Sequence, residues 1–492
     1  MNPQISRLAL AALALLVALI VATTYWQTWA VAGLEARKDN AIQRVAQFSI
    51  RRGVVFASDG RTVLAANRRK KVKGQTLYFR RYPQRGLAAH AVGYSTQVRF
   101  RTGLERSLND YLTGANAHLD TVLDTTLDRL RGVTIKGNNA VLTLNARAQR
   151  VALKALAGNC GAIVALEPRT GKVLVMASSP TYDPNAVEQN YRLIKRIRAA
   201  CRPASPLLNR AANGTYAPGS TFKVVTAAAA LDSGRYKLSS TFVDPGYCIE
   251  YGKRVQNYDT TRPFGRVNLL QALQHSINSV FCEIGKTLGP ETLVRYAKRF
   301  GFYSRPPLET PEDERTASGL YRKGRLFEPK DSSQADPGRF AFGQERLLVT
   351  PLQMAMVAAT VANGGIVMKP HLVARILSPG GSVVTRTKPR RLNRALKPES
   401  ARDLTLMMEA AVSAGTGTAA AIPGIRVAGK TGTAETGVAG RNTTSFIAFA
   451  PVEAPRVAIA VILENQSGTG GKTAAPIAKT VMEALLGVRS NS

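Results

Sequence analysis

The chain has 492 residues, enough for two or three domains and at least one large core, so size leaves an enzyme possible. Its 67 Lys and Arg against 32 Asp and Glu give a net charge of +35 with His neutral. Such a charge attracts polyanions in general, whether nucleic acid, anionic lipid or an acidic wall polymer, and selects none of them. Four cysteines without a CxxC or Cys/His spacing exclude the usual metal-binding patterns.

The N-terminus sets the compartment. Leu8 to Ala22 is free of charged and strongly polar side chains, and Tyr25, Trp26 and Trp29 follow. A helix reaching Tyr25 or Trp26 is long enough to span a bilayer with the aromatic residues at its outer interface. The alternative is a cleaved signal peptide, since Ala30-Val31-Ala32 before Gly33 fits a small-x-small site. Either way the remainder is exported, which removes nucleic acid from the candidate polyanions. The expected plan is a cytoplasmic tail and anchor over 1–28, a stalk over 29–48, a smaller mixed domain over 49–139 and a larger domain over 140–492. In an oxidising setting Cys160, Cys201, Cys248 and Cys282 permit one or two disulfides in any of three complete pairings, or serve as small buried hydrophobes.

Within the first domain, Asp59-Gly60 between short alternating segments predicts a hairpin turn. The basic clusters Arg68-Arg69-Lys70-Lys71 and Arg80-Arg81 read as solvated surface. In the second, Gly161 to Leu166 and Lys172 to Ala177 predict a β-hairpin, and Ile425 to Thr433, Ser445 to Ala450 and Arg456 to Leu463 predict three more strands. Helical spacing covers Ser220 to Asp232, Pro351 to Ala362 and Thr473 to Leu486. The fold class is therefore α+β, with a five-stranded, mainly antiparallel sheet assembled from both ends of the domain and a largely helical insert between them.

Pro218-Gly219 before Ser220, and Gly234 after an Ala/Val-rich run, predict a helix entered at Ser220 and stopped at Gly234. Three residues apart, Ser220 and Lys223 share a face. A serine hydroxyl needs a neighbouring base, and a lysine serves if burial or a second cation lowers its pKa from about 10.4. Alone this pair is weak, because a basic chain holds many such spacings. Ser276-Ile277-Asn278 could add a hydroxyl and an amide to the same cleft. Lys430-Thr431-Gly432-Thr433 closes a strand whose Gly432 would let a ligand backbone approach, while the Lys430 ammonium would bind a carboxylate and help keep Lys223 neutral. The ordered set matches the serine acyl-transfer signature.

Gly424 to Thr431 also fits the phosphate-loop pattern G-x-x-x-x-G-K-T, but the strand-like middle and the glycines after Lys430 deny it the helix a phosphate needs. His90, His118, His275 and His371 lie in no nucleophile-elbow pattern.

Together with Gly103-Leu104-Glu105, the segment Gly161 to Gly171, Gly343-Gln344 and Val349 to Ala355, these motifs give a chain that resembles the class B penicillin-binding proteins, most closely the actinobacterial division-associated type. The resemblance implies a penicillin-binding-protein/β-lactamase-like transpeptidase domain on an N-terminal pedestal, held at the plasma membrane by one span with the catalytic domain outside. It implies that Ser220 is acylated by D-Ala-D-Ala stem peptides and by β-lactams, with Lys223 as base. Ser276 would shuttle protons, Asn278 would orient the substrate, and Lys430, Thr431 and Thr433 would engage its carboxylate. The N–H groups of Ser220 and Thr433 would form the oxyanion hole. No cofactor or metal is implied, and a membrane glycan polymerase or another divisome protein would be the partner. Residues 49–139 are too short for a glycosyltransferase domain. A carboxypeptidase or β-lactamase with water as acceptor, and a non-enzymatic penicillin sensor or polyanion binder, are the competing expectations. The long interval between Ser276 and Lys430 argues against a compact β-lactamase, and the few residues before the apolar run argue against a sensor.

Overall fold

The computed structural model describes residues 3–26, 48–72, 74–97, 99–116, 134–261 and 263–488. Nearly all of the stalk, the Ala30-Val31-Ala32 motif, Trp29 and His118 lie outside these residues. Helix α1, Pro3–Tyr25, has a mean hydropathy of 2.5 and none of its side chains packs against the protein. At 1.5 Å per residue it is about 35 Å long, sufficient for the apolar thickness of a bilayer.

In chain order the elements used below are β1 (Val55–Phe56), β2 (Val63–Val72), β3 (Gln75–Arg81), β4 (Asn139–Leu142), β5 (Cys160–Leu166), β6 (Val173–Ser179), α2 (Lys223–Asp232), β7 (Thr241–Asp244), β8 (Tyr247–Glu250), β9 (Lys253–Gln256) and β10 (Gly265–Asn268). They continue with α3 (Asn278–Arg299), α4 (Pro351–Ala362), β11 (Val373–Leu377), β12 (Val383–Arg386), β13 (Ala428–Glu435), β14 (Asn442–Ala450), β15 (Val457–Gln466) and α5 (Gly470–Leu486).

The five-stranded sheet runs β13-β14-β15-β5-β6, and every neighbouring pair is antiparallel. Helix α5 covers β14 and β15 on one face, and α4 covers β15 and β5 on the other. Every β5 residue is consequently buried, which is why that strand reads as an unbroken apolar run, not an alternating one. Helix α4, buried at every position from Pro351 to Val361, starts on a Thr350 side-chain cap and keeps the predicted bounds. Helix α2 packs against α3, its Ala-rich sequence allowing close approach on all sides.

A second sheet, ordered β12-β11-β4-β1-β2-β3, draws β11 and β12 from far down the chain into the layer that starts at β1. The predicted Asp59-Gly60 turn is present, with Gly60 at φ +66° and Val55 opposite Ala65. Arg68, Arg69, Lys70 and Lys71 lie exposed along β2, whereas Arg80 is buried. Its partner is Glu105 (Nε to Oε1, 2.7 Å), which also receives Arg52 (3.0 Å); Glu105 has no solvent exposure. Burial alone would push the Glu105 carboxyl up, but Arg80 and Arg52 outweigh it and hold it below the usual range. Its contribution to stability is present at neutral pH and is lost as pH falls through that lowered value.

Two disulfides form, Cys160–Cys201 and Cys248–Cys282. The second ties β8 to α3 one turn after Asn278. Glu105→Gln leaves two guanidinium groups facing a neutral amide in a dry site. It should lower stability by about 3–5 kcal/mol in chemical denaturation at neutral pH, and by less as the pH approaches the Glu105 titration.

Candidate active site

Ser220 lies on a 3₁₀ turn, Gly219–Phe222, and the α-helix proper begins only at Lys223. The sequence placed the α-helical entry at Ser220; the tighter turn arises because Gly219 takes φ +54°, a conformation that strains other residues. The turn is fixed on three sides. Gly219 N donates to Gly343 O (3.0 Å), and Thr221 Oγ1 and Ser445 Oγ both donate to Pro218 O (2.8 and 3.0 Å). The fully buried Phe222 ring stacks on Phe340 at 5.2 Å between centroids. Ser220 itself remains half-buried.

One helical turn on, Lys223 is wholly buried. Its Nζ donates to Ser276 O (2.7 Å) and Asn278 Oδ1 (2.7 Å), with Ser276 Oγ at 3.3 Å and the Phe281 ring centroid at 5.2 Å. Burial, and secondarily Lys430, hold the amine well below its ordinary pKa. The sequence named either burial or a second cation as the means; burial is the larger. A neutral amine has two hydrogens and one lone pair, and two acceptors at 2.7 Å take the hydrogens. The lone pair is left for a hydroxyl proton. Ser276 holds φ +60°, a left-handed conformation that turns its carbonyl and hydroxyl toward the same nitrogen. Asn278 Nδ2 donates to Gln256 O (2.8 Å), which fixes the carboxamide with its oxygen toward Lys223.

The third motif lies on β13, the edge of the five-stranded sheet, so one side of the strand has no ladder partner among the described residues. The strand begins at Ala428, not Ile425, because Gly424 turns at φ +73° and Ile422 bridges back to Ile425. A Cβ on Gly219 would stand 2.7 Å from Thr433 O, so the nucleophile turn and Thr433 are immediate neighbours. Gly432 also has a packing role. Its missing side chain admits Ser445 Oγ and Pro218 O, which a Cβ would meet at 2.2 and 2.5 Å, and the strand thereby packs against the turn. Lys430 is fully buried, donates to Thr431 O (3.0 Å), and has its pKa lowered by burial to about 7. Thr431 Oγ1 shares a 2.6 Å hydrogen bond with Thr416 Oγ1, and Thr433 Oγ1 accepts from Gly470 N (3.2 Å).

All eight expected residues, Ser220, Lys223, Ser276, Asn278, Lys430, Thr431, Gly432 and Thr433, thus lie on three segments that meet around the Ser220 turn and Lys223. Sequence reasoning missed Thr416, whose Gly415-Thr416-Gly417 setting signals only a loop. It also missed the contact by which Gly343 supports Gly219. Lys430 sits within a strand that continues to Glu435, so no helix follows to cradle a phosphate. His90 is buried against Pro206 O, and His275 stacks on Phe264 at 4.9 Å. No described group of three His, Cys, Asp or Glu could hold a metal.

Gly343 has φ +79°, and a Cβ there would lie 2.0 Å from Gly219 O. Gly343→Ala should therefore destabilise the fold by about 1–3 kcal/mol in chemical denaturation, through strain at the turn that carries Ser220.

The chain is similar to known proteins along its length. The penicillin binding protein transpeptidase domain matches residues 161–483, and the penicillin binding protein A dimerisation domain matches residues 52–140. The peptidoglycan D,D-transpeptidase PbpA of Mycobacterium tuberculosis is 35% identical over 507 aligned residues, covering 99% of each chain, and that of Mycolicibacterium smegmatis is 35% identical over 506. The solved penicillin G acyl-enzyme complex of the M. tuberculosis penicillin-binding protein A superposes with a TM-score of 0.78 at 34% identity, covering 89% of this chain and all of that one. With that domain match and a similarity that runs along the whole chain, the protein belongs to the penicillin-binding protein transpeptidase family.

Proposed function

We propose that this protein is a peptidoglycan D,D-transpeptidase that crosslinks stem peptides through an acyl-enzyme on Ser220. The observation that carries the assignment is the buried Lys223 amine, one turn from Ser220, which burial holds well below its ordinary pKa and which bonds Ser276 O and Asn278 Oδ1. Its lone pair accepts the Ser220 proton as Oγ attacks the D-Ala-D-Ala carbonyl. The N–H groups of Ser220 and Thr433, which the close approach of Gly219 to Thr433 brings together, receive the oxyanion. Collapse of the tetrahedral adduct breaks the peptide bond, and a proton relayed through Ser276 leaves with D-alanine. The amine of a second stem peptide then attacks the ester carbon, restores the Ser220 hydroxyl and completes the crosslink. β-Lactams acylate the same oxygen.

Lys430, in its protonated form, and the Thr431 and Thr433 hydroxyls engage the substrate carboxylate, and Asn278 orients the substrate amide. Helix α1 anchors the chain in the plasma membrane. The catalytic domain stands outside, where the oxidising setting suits both disulfides. The 49–139 region is a pedestal for a membrane glycan polymerase, an assignment that rests on the family resemblance, as does a role in division.

Intact-mass analysis after exposure to penicillin G should show one covalent adduct on the wild type and none on Ser220→Ala. With donor and acceptor peptides the wild type should form a crosslinked product; hydrolysis alone would identify a carboxypeptidase.

The pH dependence follows from the two lysines. Acylation efficiency should fall on the acid side as Lys223 gains its proton, and on the alkaline side above about 7 as Lys430 loses its own. A carboxylate contact to a charged donor is worth about 1.5–3 kcal/mol, so Lys430→Met should lower efficiency about 10–100-fold below that pH and abolish the alkaline limb. Stopped-flow acylation with a fluorescent penicillin measures both limbs.

A further inference from the structure

Asp244, the last residue of β7, is only 1% exposed and has no cationic partner among the described residues. Neutral donors satisfy it instead. Its Oδ1 accepts from Gly246 N (2.8 Å), Asn257 Nδ2 (2.9 Å) and Ser279 Oγ (2.5 Å), and its Oδ2 from Asn257 Nδ2 (2.9 Å) and Phe264 N (2.9 Å). Burial would raise the carboxyl pKa, and these bonds together lower it below the ordinary value. A carboxylate is the one side chain of this size that only accepts; an amide would set its own NH₂ against one of these donors.

Three of the four donor groups lead to the catalytic residues: Ser279 directly, as the residue after Asn278, and Asn257 and Phe264 through further contacts. Because Asn257 spends its NH₂ on Asp244, its Oδ1 faces the other way and accepts from Asn278 N (2.9 Å) and Ser279 N (3.1 Å). These are the first two N–H groups of α3, whose N-cap, Ile277, has no side-chain acceptor. Asn257 thus caps the helix from a separate segment. Phe264, pinned by its N–H, stacks its ring on His275, the residue before the left-handed Ser276. Both flanks of Ser276-Ile277-Asn278 therefore depend on one buried carboxylate.

We propose that Asp244 is a positioning residue for acyl transfer: through Asn257 and Phe264 it holds Ser276 and Asn278 at the distances at which they receive the Lys223 amine. The proposal rests on the assignment of Ser220 and Lys223 given above. The groups facing the Lys223 nitrogen are Ser276 O and Oγ, Asn278 Oδ1 and the Phe281 ring, with Lys430 as the neighbouring charge; His275 is the titratable group on the approach to Ser276. If Ser276 and Asn278 slip, water reaches the nitrogen. Burial is the larger cause of its low pKa, so hydration moves the acid limb of acylation to higher pH.

The test is the pH profile of acylation by a fluorescent penicillin, using the full-length chain in detergent, with thermal unfolding recorded in parallel. Asp244→Asn should reduce the acylation rate about tenfold or more and move the acid limb upward by about half a pH unit or more. Asp232→Asn, a buried carboxylate at the far end of α2 that bonds Tyr296 and the Lys397 backbone, should lower the unfolding temperature without moving the limb. Should Asp244→Asn fail to fold, Asn257→Ser removes the intermediary, and its limb should move in the same direction. A folded Asp244→Asn protein with the wild-type limb overturns the proposal, as does an unmoved limb in Asn257→Ser where that variant decides. Absence of a Ser220 adduct on the wild type would instead overturn the catalytic assignment itself.

Discussion

Lys223 has an amine with no exposure to water and, among the described residues, no carboxylate beside it, and the rest of the molecule is arranged around keeping it so. An ammonium removed from water without a counter-charge is so costly that the group gives up its proton. The neutral form then needs partners for its two hydrogens. A backbone carbonyl and a carboxamide supply them, and both oxygens are neutral. A carboxylate in either place would restore the proton and remove the base. The choice of Asn at 278, and of a carbonyl presented by a left-handed Ser276, follows from that requirement.

Burial of one amine demands close packing on every side of it. The all-buried α2 meets α3, and its 3₁₀ entry is clamped between β13 and the Gly343 loop by contacts that leave no room for a Cβ at positions 219, 343 or 432. Those glycines are distant in sequence but serve one geometry. The Cys248–Cys282 disulfide closes the β8–β9 hairpin onto α3, beside the helix start that holds Asn278. The sheet core between α4 and α5 gives the edge strand β13 a rigid backing.

Much of this was legible in the sequence wherever a local pattern and the tertiary environment agree. Pro351 to Ala362 shows helical spacing after a Thr-Pro start, and the helix keeps those bounds. The five strands were identifiable because short, mostly apolar segments stand between turn residues. What was not legible depends on distant partners. Strands β11 and β12 join the sheet begun by β1 through the pairing of β11 with β4, across nearly half the chain, which no local signal records. The 3₁₀ entry at Ser220 is imposed by Gly343 and Thr433. The cysteine pairing had three solutions until the fold brought 160 to 201 and 248 to 282. The packing role of Gly432 was hidden too, because a glycine in a strand signals close approach without naming all that approaches; Pro218 and Ser445 do so here. Asp244 was invisible for a related reason: Asp-Pro-Gly announces a turn, and nothing in it reveals a buried carboxylate facing the start of another helix.

The two lysines of the cleft are equally buried, yet they differ in a way that fits different tasks. Lys223 is lowered by burial and then further by Lys430, whereas Lys430 is lowered by burial alone and reaches about 7. When a substrate carboxylate approaches, the opposite charge favours protonated Lys430. That proton then repels one on Lys223 and deepens the bias toward the neutral base. Arrival of the correct anionic group therefore sharpens the difference between the two amines at the moment a base is required. Neither side chain could supply this alone.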